Sequence, residues 1–195
     1  MASRALSYWQ GELSDRLDEL EGVHQTATGA GPGRRWGTAQ FNGQLFVALV
    51  GQFQSFARSL HDEALDVLRR GPPTSAQLAT LAAQARKLDT GNPRPSALGS
   101  DFGRLGMKLV PSIQSRAHGA TRLDRLEQAV ELRNGIAHAD DAQIAKLAHL
   151  APSRRAVRTL ASYRKHRRAL NGLAVDMDDV VADHVGGLTG HGRPW

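Results

Sequence analysis

TAQFNGQLFVALVGQFQSFARSLHDEALDVLRR, residues 38–70, decides the fold class. Its apolar residues Phe41, Leu45, Leu49, Phe53, Phe56, Leu60, Ala64 and Val67 advance by four, four, four, three, four, four and three. Steps of three and four keep side chains on one face of a helix, whereas a half-buried strand needs strict alternation. A single helix over these residues spans about 50 Å at ~1.5 Å per residue. Gly71-Pro72-Pro73 stops it, because proline offers no amide and its ring clashes with the preceding turn.

The same periodicity extends to both sides. Upstream, Leu6, Trp9, Leu13, Leu17, Leu20 and Val23 recur at steps of three and four. A loop rich in glycine and proline follows over 28–35. Its Gly29, Gly31 and Gly33 do not form a phosphate cradle, since no strand precedes them and Pro32 interrupts the amides. Downstream, a shorter helix is predicted over 75–88, capped by Thr74 or Ser75, and the turn Gly91-Asn92-Pro93-Arg94-Pro95 separates it from a short helical or irregular connector over 98–109. Thr121 or Asp124 opens the next helix, with Leu123, Leu126, Ala129, Val130 and Ile136 on its apolar face. After a connector over 140–152, a last helix from near Ser153 carries Val157, Leu160, Leu170, Leu173, Met177, Val180 and Val185. No alternating segment of any length occurs. The expected architecture is all-α, a bundle of long antiparallel helices forming one domain over 1–186, with 187–195 as a flexible tail.

A chain of 195 residues, 41% of them hydrophobic, can bury one sizeable core. It has no apolar run of about eighteen residues, so no membrane-spanning helix is expected. The opening MASRALSYWQGELSDRLDEL contains acids and lacks the apolar core of a signal peptide. The absence of cysteine excludes disulfides and thiolate metal sites and fits a reducing interior. The expectation is a soluble cytoplasmic protein.

A net charge of +6 and a pI near 10.4 favour a polyanionic partner. The cations cluster: Arg154, Arg155, Arg158, Arg164, Lys165, Arg167 and Arg168 lie within fifteen residues with no acid among them. Asp176, Asp178, Asp179 and Asp183 then reverse the sign. Such a run is either a solvated face or a surface that tracks phosphates, with Arg164, Lys165, Arg167 and Arg168 as the candidate RNA contacts.

The chemistry-bearing stretch is Glu131-Leu132-Arg133-Asn134-Gly135-Ile136-Ala137-His138, at the predicted end of a helix. Arg133 supplies a permanent, fork-shaped cation suited to phosphate. His138 supplies an imidazole that can take or give a proton near neutral pH. Asn134 stands four residues before His138, on the same helix face. The alternative is structural: arginine and histidine near a helix C-terminus interact favourably with its free carbonyls. His61, Asp62 and Glu63 either face this helix or are ordinary surface residues. The triplet Asp101-Phe102-Gly103 stands without any other kinase element. No H-E-x-x-H or paired-histidine spacing is present, so no metal and no cofactor is expected.

The pattern R-N-x-x-x-H resembles the signature of the HEPN superfamily. The resemblance extends over most of residues 36–140. Trp36-Gly37, Phe41-Asn42, Ala48-Leu49, Gln52-Phe53-Gln54-Ser55-Phe56 and Leu60-His61-Asp62-Glu63-Ala64 are similar to the second helix of bacterial RiboL-PSP-type HEPN proteins. Gly91-Asn92-Pro93, Ser100-Asp101-Phe102-Gly103-Arg104-Leu105-Gly106 and Leu132-Arg133-Asn134-Gly135-Ile136-Ala137-His138 follow in the matching order. The resemblance implies Arg133 and His138 as catalytic residues, with Asn134 as the accessory polar group. It also implies a homodimer whose motifs face each other across a cleft, and a role in RNA-targeting conflict or stress systems. Some HEPN toxins carry a tyrosine two residues after the histidine; here that position is Asp140.

The expected activity is metal-independent RNA cleavage in a toxin–antitoxin or phage-defence setting, with a cognate antitoxin or other defence protein as a possible partner. Acid and base roles need two groups and one motif offers one histidine, so dimerisation completes the chemistry. Leu132 and Ile136, flanking the motif, are the expected core of that dimer contact. The competing expectation is a non-catalytic dimeric scaffold or RNA-binding module.

Overall fold

A computed structural model describes residues 1–28, 38–147 and 159–195. The helices are α1 (Arg4–Tyr8), a π-helical segment (Trp9–Leu13), α2 (Ser14–Thr28), α3 (Thr38–Arg69), α4 (Pro73–Ala82), α5 (Lys87–Thr90), α6 (Pro95–Gly103), α7 (Leu109–Gln114), α8 (Gly119–Ala137), α9 (Asp141–Lys146) and α10 (Leu160–Thr189). No strand occurs among the described residues, and none of their helices is long and apolar enough to cross a membrane. The protein is an all-α helical bundle.

The helix read from the opening stretch is its axis. α3 is about 48 Å long and packs against α1, α2, α4, α8 and α10. One face cannot serve so many neighbours, so its buried residues form a broad band: Leu45, Phe46, Leu49, Val50, Phe53, Phe56, Ala57, Leu60, Ala64, Leu65 and Leu68. Trp9 stands edge-on to Phe53, with centroids 5.5 Å apart. Each such aromatic contributes about 1.5–3 kcal/mol by burial, and Phe53→Ala in this position costs about 3–5 kcal/mol. Phe41 departs from the expected stripe. It is 42% exposed at the first turn of α3, against the ring of His24.

The N-terminal segment is anchored by polar groups distant in sequence. The Ser3 hydroxyl accepts from the Leu6 amide at 2.9 Å, and the Glu63 carboxylate accepts from the amides of Arg4 and Ala5, both at 3.1 Å. Together these satisfy three donors that a helix N-terminus leaves open. The buried line continues through Leu6, Trp9, Leu13 and Leu17, then ends; Leu20 and Val23 are exposed rather than in the core.

α8 and α10 lie antiparallel beside α3. Arg116 pairs with Asp179 at 3.0 Å, Arg122 with Asp176 at 2.5 Å, and the buried His166 feels the charges of Arg125 and Asp124. Rising numbers on α8 thus meet falling numbers on α10. α3 and α8 are antiparallel too: an added Cβ on Gly43 would stand 3.3 Å from Ile136, and one on Gly71, just past α3, would stand 2.9 Å from Thr189 at the end of α10. The start of α3 therefore lies against the end of α8.

Several boundaries differ from the sequence reading. α4 begins at Pro73, and Ser75 instead bonds back to the Leu68 and Pro72 carbonyls. α8 begins at Gly119 after a left-handed His118. Thr159 caps α10 by accepting from the Ser162 amide at 3.1 Å, and the expected start near Ser153 lies outside the described residues. The tail also differs from the expected flexible end. α10 continues to Thr189, Trp195 is buried in the core cluster, and Arg193 pairs with Asp179 and Asp183.

Candidate functional site

The motif occupies the C-terminal end of α8, and its backbone explains why the helix stops there. The Asp140 amide donates to the Gly135 carbonyl at 2.8 Å and the Ala139 amide to the Ile136 carbonyl at 3.3 Å. This doubly bonded reversal is a Schellman cap, which needs a left-handed residue just past the helix. Ala139 fills it with φ 51, a position that usually favours glycine. The turn sends α9 back onto α8, where Ile144 is buried. Gly135 permits this contact, because a Cβ there would stand 2.6 Å from Ile144 Cγ1.

Arg133 and Asn134 are half-buried and His138 is exposed. His138 is the capping residue of α8, its amide donating to the Asn134 carbonyl at 3.0 Å. The Asn134 side-chain oxygen accepts twice: from Arg133 Nη1 at 3.2 Å and from Asn92 Nδ2 at 2.9 Å. Asn92 sits in the turn between α5 and α6. That turn is held to α3 by Gln54, which donates to the carbonyls of Leu88 and Gly91 at 2.7 Å each. On its other side Arg94 pairs with Glu127 of α8. The sequence marked Asn92 as a turn residue and gave it no role. Nothing in its local spacing announces a partner on α8.

The flanks of the motif are not the apolar dimer face expected from sequence. Leu132 is 1% exposed within the chain's own core, and Ile136 packs against α3 at Gly43. At this end, Phe41, Leu20 and Val23 are large apolar residues that remain exposed among the described residues.

The basic segment is only partly described, and two of its cations are paired. Arg154, Arg155 and Arg158 lie outside the described residues, as do Trp36 and Gly37. Arg164 pairs with Glu21, with Nε at 2.7 Å, and Arg167 pairs with Asp18 at 2.5 Å while also donating to Ser14. The Arg167 bond holds the Asp18 carboxyl below its ordinary range. Lys165 and Arg168 are exposed. Arg168 borders a cleft of about 410 Å³ with Glu21, Arg164, Arg167 and Asn171. His166 on this segment stands edge-on to Phe46 of α3, with centroids 5.3 Å apart. Among the described residues no hydrogen bond or ion pair links Arg164, Lys165, Arg167 or Arg168 to Arg133, Asn134 or His138.

The other polar candidates have structural partners. His61 is fully buried against Phe102, near the Asp101 carbonyl and Arg86, and burial lowers its pKa. Asp62 pairs with Arg86, and Glu63 caps α1. Asp101 is also fully buried, accepting from the Lys87 and Leu88 amides at 3.0 and 2.8 Å to cap α5. Among the described residues no group of three or more His, Asp or Glu side chains is arranged to hold a metal ion. No family model, curated protein or solved structure matches the chain.

Proposed function

We propose that the chain is a HEPN-like, metal-independent endoribonuclease acting at the Arg133, Asn134 and His138 motif. The observation that carries this reading is the exposed rim at the end of α8, where an arginine bound, among the described residues, only to a neutral amide stands beside a capping histidine. One His138 takes the proton of a ribose 2′-OH as its oxygen attacks phosphorus. A second gives a proton to the departing 5′-oxygen, leaving a 2′,3′-cyclic phosphate and a free 5′-hydroxyl. Arg133 stabilises the charge gathering on the phosphorane, and Asn134 holds a phosphate oxygen or the imidazole.

Two histidines require two chains, so the working unit is a homodimer. With Leu132 inside the protomer, the contact draws on Phe41, Leu20 and Val23, exposed at the same end as the motif. Light scattering at low micromolar concentration should give twice the chain mass, and Phe41→Glu should halve it. A toxin or phage-defence role belongs to the same reading, as does a cognate antitoxin partner. Induced expression should arrest growth with wild type and not with His138→Ala. The decisive assay is cleavage of single-stranded RNA in EDTA by wild type and His138→Ala.

A second reading, a non-catalytic scaffold, draws on the saturation of the Asn134 oxygen and on His138 as the helix cap. Equal RNA cleavage by wild type and His138→Ala would favour it.

A further inference from the structure

Arginine carries five donors and no acceptor. The Asn134 atom that faces Arg133 Nη1 must therefore be the carboxamide oxygen, since the nitrogen would set donor against donor. That same oxygen faces Asn92, so the Asn92 atom turned toward it must be Nδ2. One arginine thus fixes the orientation of two amides that would otherwise be free to flip. Two consequences follow at the rim. The Asn134 NH₂ is turned away from Arg133 and left as a donor. Arg133 Nε and Nη2 have no acceptor among the described residues, so two adjacent N–H groups remain for a planar, bidentate contact with phosphate.

Asn92 can hold this arrangement because its own turn is held on both sides. Gln54 ties the carbonyls of Leu88 and Gly91 to α3, and the Arg94 amide donates to the Asn92 carbonyl at 2.8 Å. The Arg94 side chain pairs with Glu127, two turns before Asn134 on the same face of α8. Pro93, between them, is buried. The turn spans α3 and α8, and Asn92 is the side chain it delivers to the motif.

We propose that Asn92 is a positioning residue for the site: it locks the Asn134 amide, which holds the inner edge of Arg133 so that the outer edge meets a phosphodiester. This rests on the ribonuclease reading of the motif. Asn92 touches no reacting atom in this scheme. Its effect passes through Asn134 to the arginine.

The test uses the full chain as wild type, Asn92→Ala, Asn134→Ala, the double variant and Asn92→Asp, with a labelled single-stranded RNA. Asn92→Ala should lower kcat roughly tenfold and move KM less than about twofold, as for one positioned hydrogen bond. The double variant should be little worse than Asn134→Ala, because the two residues act in series. Asn92→Asp should lose more, roughly 10²-fold: a carboxylate cannot donate to the Asn134 oxygen and would draw Arg133 into an ion pair. An unchanged kcat in Asn92→Ala, or losses that multiply in the double variant, would overturn the proposal. The Arg133 Nε–Hε resonance gives an independent readout. It should shift in both Asn92 variants even if wild type proves unable to cleave RNA. That outcome would remove the ribonuclease reading and leave the positioning, whereas an unmoved resonance would remove the positioning.

Discussion

The end of α8 and the start of α10 both carry arginines, and they use them in opposite ways. Arg133 is bound to a neutral carboxamide, and no carboxylate among the described residues pairs with it. Arg164 and Arg167 are bound to the carboxylates of Glu21 and Asp18, so most of their charge is spent within the fold. A run of cations in a sequence is thus a poor measure of cation available to a ligand. What counts is the chemistry of the partner each one finds, and those partners lie 143 and 149 residues away along the chain.

The largest expected effect tests the α8 side. His138→Ala should lower RNA cleavage roughly 10²–10⁴-fold, and Arg133→Ala roughly 10²–10³-fold, with unchanged thermal unfolding for the exposed histidine. If cleavage survives in both, the available cation is not a catalytic one. Next comes the support beneath it. Gly135→Ala pushes a methyl into Ile144 and should cost about 1–3 kcal/mol in urea unfolding. A neutral result would show that α9 is not held against the motif.

On the α10 side, Arg167→Gln should cost about 1 kcal/mol or less, since Asp18 is largely exposed and the pair is screened. The pH dependence identifies the cause. Arg167 holds the folded-state pKa of Asp18 below its ordinary 3.8, so the pair's stability is present above that value and is lost as pH falls through the folded pKa. The variant's deficit should therefore be full at neutral pH and vanish in acid. Charge removal at Lys165 and Arg168, by contrast, should flatten the salt slope of RNA binding by up to about 0.7 each, while Arg164 and Arg167 should give less. Equal slopes for both pairs would erase the distinction. The smallest effect sharpens the geometry: Ala139→Gly should stabilise by about 0.5–1 kcal/mol by relieving the left-handed alanine.

What could be read from the sequence was local. The long helix ends within a residue of expectation, because unbroken spacing runs into Gly71-Pro72-Pro73. The motif was legible for the same reason: Asn134 and His138 are one turn apart. Short elements were not. α5, α6 and α9 have four, nine and six residues, too few for periodicity to separate them from turns. The start of α8 gave no signal, because its Gly119 is set by close approach to the Ile113 carbonyl rather than by a capping side chain. The Asn92–Asn134 bond joins residues 42 apart, and the Arg167 pairs join α10 to α2. No spacing rule reaches across the bundle, so the turn bonded to Asn134 and the acids that pair with Arg164 and Arg167 became visible only in three dimensions.

The placement of α10 has a consequence in time as well as in space. It covers faces of both α3 and α8, so the helix bearing the motif acquires one of its walls last. At roughly 5–20 residues per second of synthesis, a growing chain carries His138 for roughly 3–10 s before Thr189 is made. During that interval α8 lacks its contact with α10, and its rim rests on an incomplete core. Order of synthesis thus delays the finished rim until after Arg133, Asn134 and His138 exist, a pause written into the chain by the position of α10.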